Sequence, residues 1–540
     1  MALFTLAALA LLWAGYRFYG GFLERNYSVS FSEPVPSKTM TDGVDYVPAN
    51  KFVLLGHHFS SIAGAGPIVG PLIAAAAFGW LPAALWILIG TVFIGGLHDL
   101  SALIISIRHQ GRSVAEVARK YINSRTYKLF LLFTWLTLVY VVTVFADLTA
   151  DTFVNEPAVS QTSVLYIAVA AVLGWAMYRR GAGLKAGTVV SLAALLAGMY
   201  LSYRWQLPAA DKRTWIAVLM TYCFAASILP VWLLLQPRDY LSSYLLYAAI
   251  AIGLGGIFFG GHAVTYPAFK AFSDPSLGGM FPFLFITIAC GAVSGFHSLV
   301  ASGTTSKQLA APSEAKFIGY GGMVLEAVVA VIALCTIMFL APSDSLTGAA
   351  PARIFAAGLG KFSSLIGLGE RAGTIFGLLV VSAFMLTTLD SATRIARYIL
   401  QELAGAGNSL RSRLIATAVS VALPLLLLNL RMTGADGAPI PCWKVVWPLF
   451  GVTNQLLAAL VLVIVYIWAR NTGVKRTGLI IAPAVFMTVM TIWALGSMLA
   501  RSGFNLITAI GAVLLVLSVV VIAESARAVI AGAPRERAEP

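Results

Sequence analysis

Residues 56–71 read GHHFSSIAGAGPIVGP. Gly and Pro break helices, and histidine is costly in hydrocarbon. Yet this stretch opens an apolar run reaching residue 78. Irregular backbone at membrane depth is tolerated only where it is buried in protein or lines a cavity. The stretch therefore predicts a membrane helix interrupted near GAGP, which is sound only if the whole chain is a membrane protein.

Composition supplies that condition. Of 540 residues, 59% are hydrophobic and 11% charged, against about 25% charged in soluble domains. The apolar residues fall into about fifteen runs, each long enough to cross a hydrocarbon core of about 30 Å as a helix. The expected fold class is an all-α polytopic membrane protein lying in the lipid bilayer. The net charge of +14 does not indicate a nucleic-acid partner, because the basic residues are scattered through short interhelical loops. Most of them fall on one side, including Arg108, Arg112, Arg179, Arg180, Arg470 and Lys475. The positive-inside rule makes that side cytoplasmic. It puts the N-terminus outside, with residues 1–22 as a first helix rather than a signal peptide, and the C-terminus inside. The four cysteines lie far apart, in neither a disulfide framework nor a zinc spacing.

A second break lies in residues 286–307, ITIACGAVSGFHSLVASGTTSK. By span count it enters the membrane from the side opposite to the first. Antiparallel broken helices are the signature of inverted-repeat transporters, whose substrate and ions bind at the breaks. The expected core is a five-plus-five inverted repeat within one transmembrane domain covering 1–540. Residues 1–55 form an N-terminal helix and a cytoplasmic loop, which is either a gate or a plain connection. Residues 56–203 form repeat 1, 204–281 two inserted helices, 282–469 repeat 2, and 470–540 two further helices and a tail. Residues 113–122 read as a short amphipathic helix, and 531–540 lack apolar periodicity.

The breaks contribute the candidate substrate-binding residues: His57, His58, Ser60, Ser61, Gly64, Ala65 and Gly66 from the first, and Ser294, Gly295, His297 and Ser298 from the second. Half-helix N-termini favour anions, hydroxyls and imidazoles can donate to a carboxylate, and histidine titrates near neutral pH. The alternative for each histidine is a packing role. In residues 382–400, Asp390 stands beside Thr387 and Thr388. Either the cluster contributes to a hard-cation site, or Asp390 pairs with Arg394 one turn along. His98, Asp99 and Glu326 are candidates for a proton relay, or for helix–helix hydrogen bonding. Arg238 and Asp239 read as an ion pair at a cytoplasmic helix end, and Asp147 and Asp151 share one outer helix face. No HExxH occurs and the six histidines show no regular spacing. A histidine-ligated membrane enzyme or haem protein is therefore a remote alternative, and no cofactor beyond a coupling Na+ or H+ is expected.

Six motifs together resemble the carbon starvation protein A family: HHFSSIAGAGPIVGP, GLHDLSALIISIRHQGRSVAEV, QPRDYLSSYLL, ITIACGAVSGFHSLVASGTTSK, TTLDSATRIARYIL and WPLFGVTNQLLAAL. The resemblance implies a non-enzymatic bacterial inner-membrane transporter for pyruvate or short peptides during carbon starvation. It also implies the leucine-transporter-like core of the amino acid–polyamine–organocation superfamily. TTLDSA is similar to the TSADSA stretch of betaine–choline–carnitine transporters, which implies a sodium site at Thr387 and Thr388 completed near Ala63. The reading that follows is a symporter importing a small carboxylate, pyruvate foremost, driven by protons or sodium. The alternative is a di- or tripeptide transporter of the same fold. The oligomeric state stays open.

Overall fold

A computed structural model describes the chain except residues 29–33, 43–45, 209, 231, 408, 431–439, 502, 504 and 532–540. Nearly all of the 531–540 tail, and parts of the 23–55 loop, lie outside the described residues. The chain is helical almost throughout; the described strands are Ser273–Asp274 and Gly278–Gly279, paired antiparallel.

In chain order the helices are α1 (Ala2–Asn26), α2 (Lys51–Ala63), α3 (Gly66–Phe78), α4 (Trp80–Arg108), α5 (Val114–Tyr121), α6 (Ser124–Asn155) and α7 (Pro157–Arg180). There follow α8 (Leu184–Arg204), α9 (Lys212–Ile228), α10 (Leu235–Phe259), α11 (Met280–Thr287), α12 (Gly295–Gly303) and α13 (Pro312–Met338). The last are α14 (Pro351–Ser363), α15 (Glu370–Leu403), α16 (Leu410–Leu428), α17 (Cys442–Asn471), α18 (Gly478–Arg501) and α19 (Leu506–Ala531).

Among the described residues, twelve helices are long and apolar enough to span a membrane, and α2 with α3, bent by 41°, makes a thirteenth if the pair is one span. The expected count of fifteen full spans is not reached. Of the remaining two segments, α9 has only 17 residues, and 282–305 is split into helices of 8 and 9 residues. Hydropathy counts apolar residues and is blind to the non-helical backbone between Thr287 and Gly295.

Both breaks have local causes. Gly64 sits at φ +48, a conformation that favours glycine, and Pro67 then fits the first turn of α3, where a missing N–H costs little. The second break is held from outside by α17. Asn454 Oδ1 accepts from Phe296 N at 2.9 Å, its Nδ2 donates to Ser294 Oγ at 3.0 Å, and Gln455 Nε2 donates to the Phe285 carbonyl at 2.6 Å. Two orphan helix ends are thereby satisfied in trans. The breaks pack on each other: a Cβ added at Gly66 would lie 2.3 Å from Cys290 Cβ, and one at Gly70 2.5 Å from the Thr287 carbonyl oxygen.

Around this centre, α2 packs on α10 and α15, and α12 packs on α4 and α17. Helices α6 and α15 run against each other, flanked by α9 and α16, while α8 lies at the periphery against α7.

Candidate substrate and coupling site

A buried charge in a membrane protein must find a partner, and two networks of such partners meet at the breaks. The first centres on Arg238, in the opening turn of α10 yet fully buried. Its guanidinium makes two hydrogen bonds to Asp390 of α15, Nη2–Oδ1 at 2.9 Å and Nη1 to Oδ2, and a third to Asp239 at 2.8 Å. Tyr222 of α9 donates to Asp390 at 2.8 Å. Asp239 passes the network to α2: His57 Nδ1 lies 2.9 Å from its Oδ2, and Ser61 donates to the same oxygen at 3.2 Å. Ser60 donates to the Asp239 carbonyl at 3.1 Å.

Neither expectation for these charges describes the geometry in full. Arg238 and Asp239 do pair at the helix end, but as the hub of a buried network that reaches Asp390 and His57 rather than as a pair by themselves. Asp390 takes Arg238, not Arg394. Arg394 Nη2 donates instead to the Ala226 and Leu229 carbonyls, at 2.5 and 2.6 Å, closing the C-terminal end of α9. Asp147 and Asp151 share Lys212 of α9, at 2.8 and 2.7 Å, and Asp147 also accepts from Trp443 N.

The second network joins four residues from three helices, His98 and Asp99 of α4, His297 of α12 and Glu326 of α13. His98 Nδ1 lies 2.8 Å from Asp99 Oδ1, and His297 Nδ1 lies 2.8 Å from Asp99 Oδ2. His297 Nε2 reaches Glu326 Oε2 at 3.1 Å, at an angle that forms no hydrogen bond. All four side chains are fully buried. His58 bonds Thr305 at 2.8 Å. Among the described residues, Nε2 of His57, His58, His98 and His297 and both Glu326 oxygens have no hydrogen-bond partner.

The hydroxyls singled out for a cation differ. Thr387 donates to the Ala383 carbonyl at 2.8 Å. The Thr388 hydroxyl is buried without a partner among the described residues, 2.8 Å from where a Gly64 Cβ would stand. Asp390 is spent on Arg238 and Tyr222. In the second break, Ser298 donates to the Gly295 carbonyl at 2.7 Å.

A cavity approaches the first network from the side of the α4–α6 connection, lined by His57, Ser61, Gln236, Lys307, Ser391 and Arg394 among others. It continues, through Gly303, Lys307, Ile395 and Tyr398, into a wider vestibule lined also by Arg112, Glu116 and Glu402. Of the candidate substrate residues, His57 and Ser61 line this cavity; Ala65, Gly66 and the second-break residues are packed away in the interior. Gln236, Lys307 and Arg394 went unnoticed as lining residues, although each stands inside a quoted motif. Lys307 is braced by the rings of Tyr46 and Tyr398, at 5.4 and 5.9 Å.

Broken helices packed against each other, two buried ion networks and a polar cavity define a polytopic helical transporter of leucine-transporter-like fold. The family profile described as carbon starvation protein CstA matches residues 1–347 and 342–494, and the chain belongs to that family. It is 34% identical to "Peptide transporter CstA" of Escherichia coli (strain K12), over 85% of this chain and 75% of that protein. It is 31% identical to "Pyruvate/proton symporter BtsT" of the same organism, over 91% and 81%. A manganese transporter of Eremococcus coleocola superimposes with a TM-score of 0.56 at 11% identity, over 91% of this chain and 98% of that one. MhsT in complex with L-phenylalanine does so at 0.52 and 14%, over 88% and 99%; both likenesses speak for the fold alone. The resemblance to the carbon starvation family is thus borne out, and the chain is a multi-span membrane transporter, not an enzyme.

Proposed function

We propose that the chain imports a small carboxylate, pyruvate foremost, across the bacterial inner membrane in symport with protons, its C-terminus cytoplasmic. The observation that carries the substrate class is the charge of the inner cavity. Lys307 and Arg394 line it, and no Asp or Glu does among the described lining residues. Such a lining attracts a carboxylate and offers nothing to the ammonium of a zwitterionic peptide. The buried His98–Asp99–His297–Glu326 chain supports proton coupling, since it supplies titratable groups on α4, α12 and α13. The one-sided excess of basic residues supports the orientation.

The packing supports a first half of different membership from 56–203. Helix α10 contacts α2, α14 and α15 much as α17 contacts α12, α5 and α6. Helix α9 likewise mirrors α16 between α6 and α15. The halves are then α2/α3, α4, α6, α9 and α10, and α11/α12, α13, α15, α16 and α17, with α7 and α8 inserted.

Peptide transport is the second reading. The wider vestibule carries both signs of charge, Arg112 and Lys307 beside Glu116 and Glu402, which is what a zwitterion requires. Sodium coupling has the unpartnered Thr388 hydroxyl in its favour. Uptake of labelled pyruvate into proteoliposomes, under separately imposed proton and sodium gradients, tests the proposal. Accumulation driven by protons and competed by lactate is expected. Competition by dialanine but not by lactate or propionate would move the assignment to peptides.

A further inference from the structure

We propose that Cys290, His297 and Glu326 form a binding site for one divalent transition-metal ion of the Zn2+ class. Their ligand atoms, a thiol sulfur, an imidazole nitrogen and a carboxylate oxygen, lie within 4.8 Å of one another, and all three residues are buried. Sulfur, nitrogen and oxygen ligands together suit Zn2+ and its neighbours rather than a hard cation. Metal–ligand bonds of about 2.0–2.3 Å would require the three groups to draw in by about 1 Å at most.

The atoms facing the centre are the ones left over. Among the described residues, His297 Nε2 and both Glu326 oxygens lack hydrogen-bond partners, although buried polar atoms are rarely left so; Nε2 and Oε2 stand 3.1 Å apart. The surroundings resemble the support that metal ligands receive. His297 has its other nitrogen, Nδ1, 2.8 Å from the Asp99 carboxylate, the pairing that orients a ligating imidazole and raises its basicity. His98 holds the second Asp99 oxygen at 2.8 Å. Asn454 Nδ2 stands 3.6 Å from Cys290 Sγ and Ser294 Oγ 3.7 Å from it, so a thiolate would find polar neighbours. A divalent ion with one thiolate and one carboxylate is formally neutral, which suits the low-dielectric interior. Binding forms the metal–sulfur, metal–nitrogen and metal–oxygen bonds. It releases the thiol proton, and the carboxyl proton where Glu326 carries one. Three protein ligands leave a fourth position open, as in sites that exchange ligands.

The site stands on this geometry and does not rest on the proposed substrate. A bound metal would hold the same His297 and Glu326 atoms that the proposed proton chain uses, so metal and coupling proton compete there, and the test is a direct binding measurement. The full chain, purified in detergent and stripped with a chelator, is titrated with Co2+ as a spectroscopic probe and then with Zn2+. One Co2+ per chain is expected, with a near-ultraviolet thiolate-to-cobalt band that Zn2+ abolishes. Cys290→Ser should remove the band while metal-free thermal unfolding stays as in the parent. Asp99→Asn should weaken binding about 10–100-fold. A parent chain that takes up no Co2+, or a band that survives Cys290→Ser, overturns the site. Should Cys290→Ser fail to fold, X-ray absorption of the zinc-loaded parent decides: one sulfur and one imidazole ligand are expected, and a shell without sulfur overturns the proposal.

Discussion

Arg238 serves two carboxylates, Asp239 and Asp390, each of which has further partners. Removing one member of a buried ion pair costs about 3–5 kcal/mol, because the other charge is stranded. Asp390→Asn leaves Arg238 still paired with Asp239, whereas Arg238→Gln strands two acids. Arg238→Gln should therefore lower the melting temperature in detergent more than Asp390→Asn. Equal or reversed losses would mean that Arg238 is not the hub. A separate expectation concerns the cavity. Lys307 is half-buried and, among the described residues, makes no ion pair that ties it to the fold. Lys307→Gln should raise the KM for pyruvate about tenfold, the equivalent of about 1.4 kcal/mol, with little change in melting temperature. An unchanged KM would remove Lys307 from recognition. The Arg238–Asp390 pair was hidden from a linear reading by sequence distance. Asp390 had a plausible basic partner four residues away, and spacing arguments reach only neighbours on one helix.

At the scale of elements, the breaks were the most legible feature, because Gly, Pro and Ser inside an apolar run leave few alternatives to non-helical backbone. What holds them was not legible. Asn454 and Gln455 sit mid-helix in α17 with nothing nearby to mark them as caps for α11 and α12. The count of fifteen spans is not confirmed, since hydropathy scores 282–305 as one continuous span across the break that its Gly and Ser residues mark, and α9 has only 17 residues. The mutual packing of the breaks has a direct consequence. Gly66→Ala places a methyl group against Cys290 and should cost about 1–3 kcal/mol, read as a lower melting temperature and lost uptake. Gly255→Ala is the control. Among the described residues, no atom beyond its own stretch of helix backbone lies within 4 Å of its added Cβ, and helix propensity makes the change neutral or stabilising by up to about 1 kcal/mol. If both variants behave alike, close approach of the breaks is not what Gly66 provides.

For the whole molecule, proton symport as proposed requires the cavity and the buried histidine–carboxylate chain to act as one. Helix α2 bears on both sides: His57 faces Asp239 of the first network, and His58 faces Thr305, just beyond α12, the helix that carries His297 of the second. Under the proposed symport, a shift of α2 would act on the first network directly and on the second through α12, and that is the route by which protonation would bias substrate binding. The relay residues were individually legible as ionisable groups in apolar runs. That His297 links Asp99 to Glu326 was not, because the three lie on different helices. The link can be separated from mere structural support by two assays on one variant. His297→Gln keeps a polar side chain but cannot carry the proton. It should retain exchange of labelled for unlabelled pyruvate across proteoliposomes at equal pH, where no net proton movement is required. Accumulation driven by an inward proton gradient should fall to the level of the gradient-free control. Loss of both activities with an unchanged melting temperature would place His297 in substrate binding instead. Retention of both would take the proton off this chain, leaving the sodium gradient and Thr388→Ala as the measurements that locate the coupling ion.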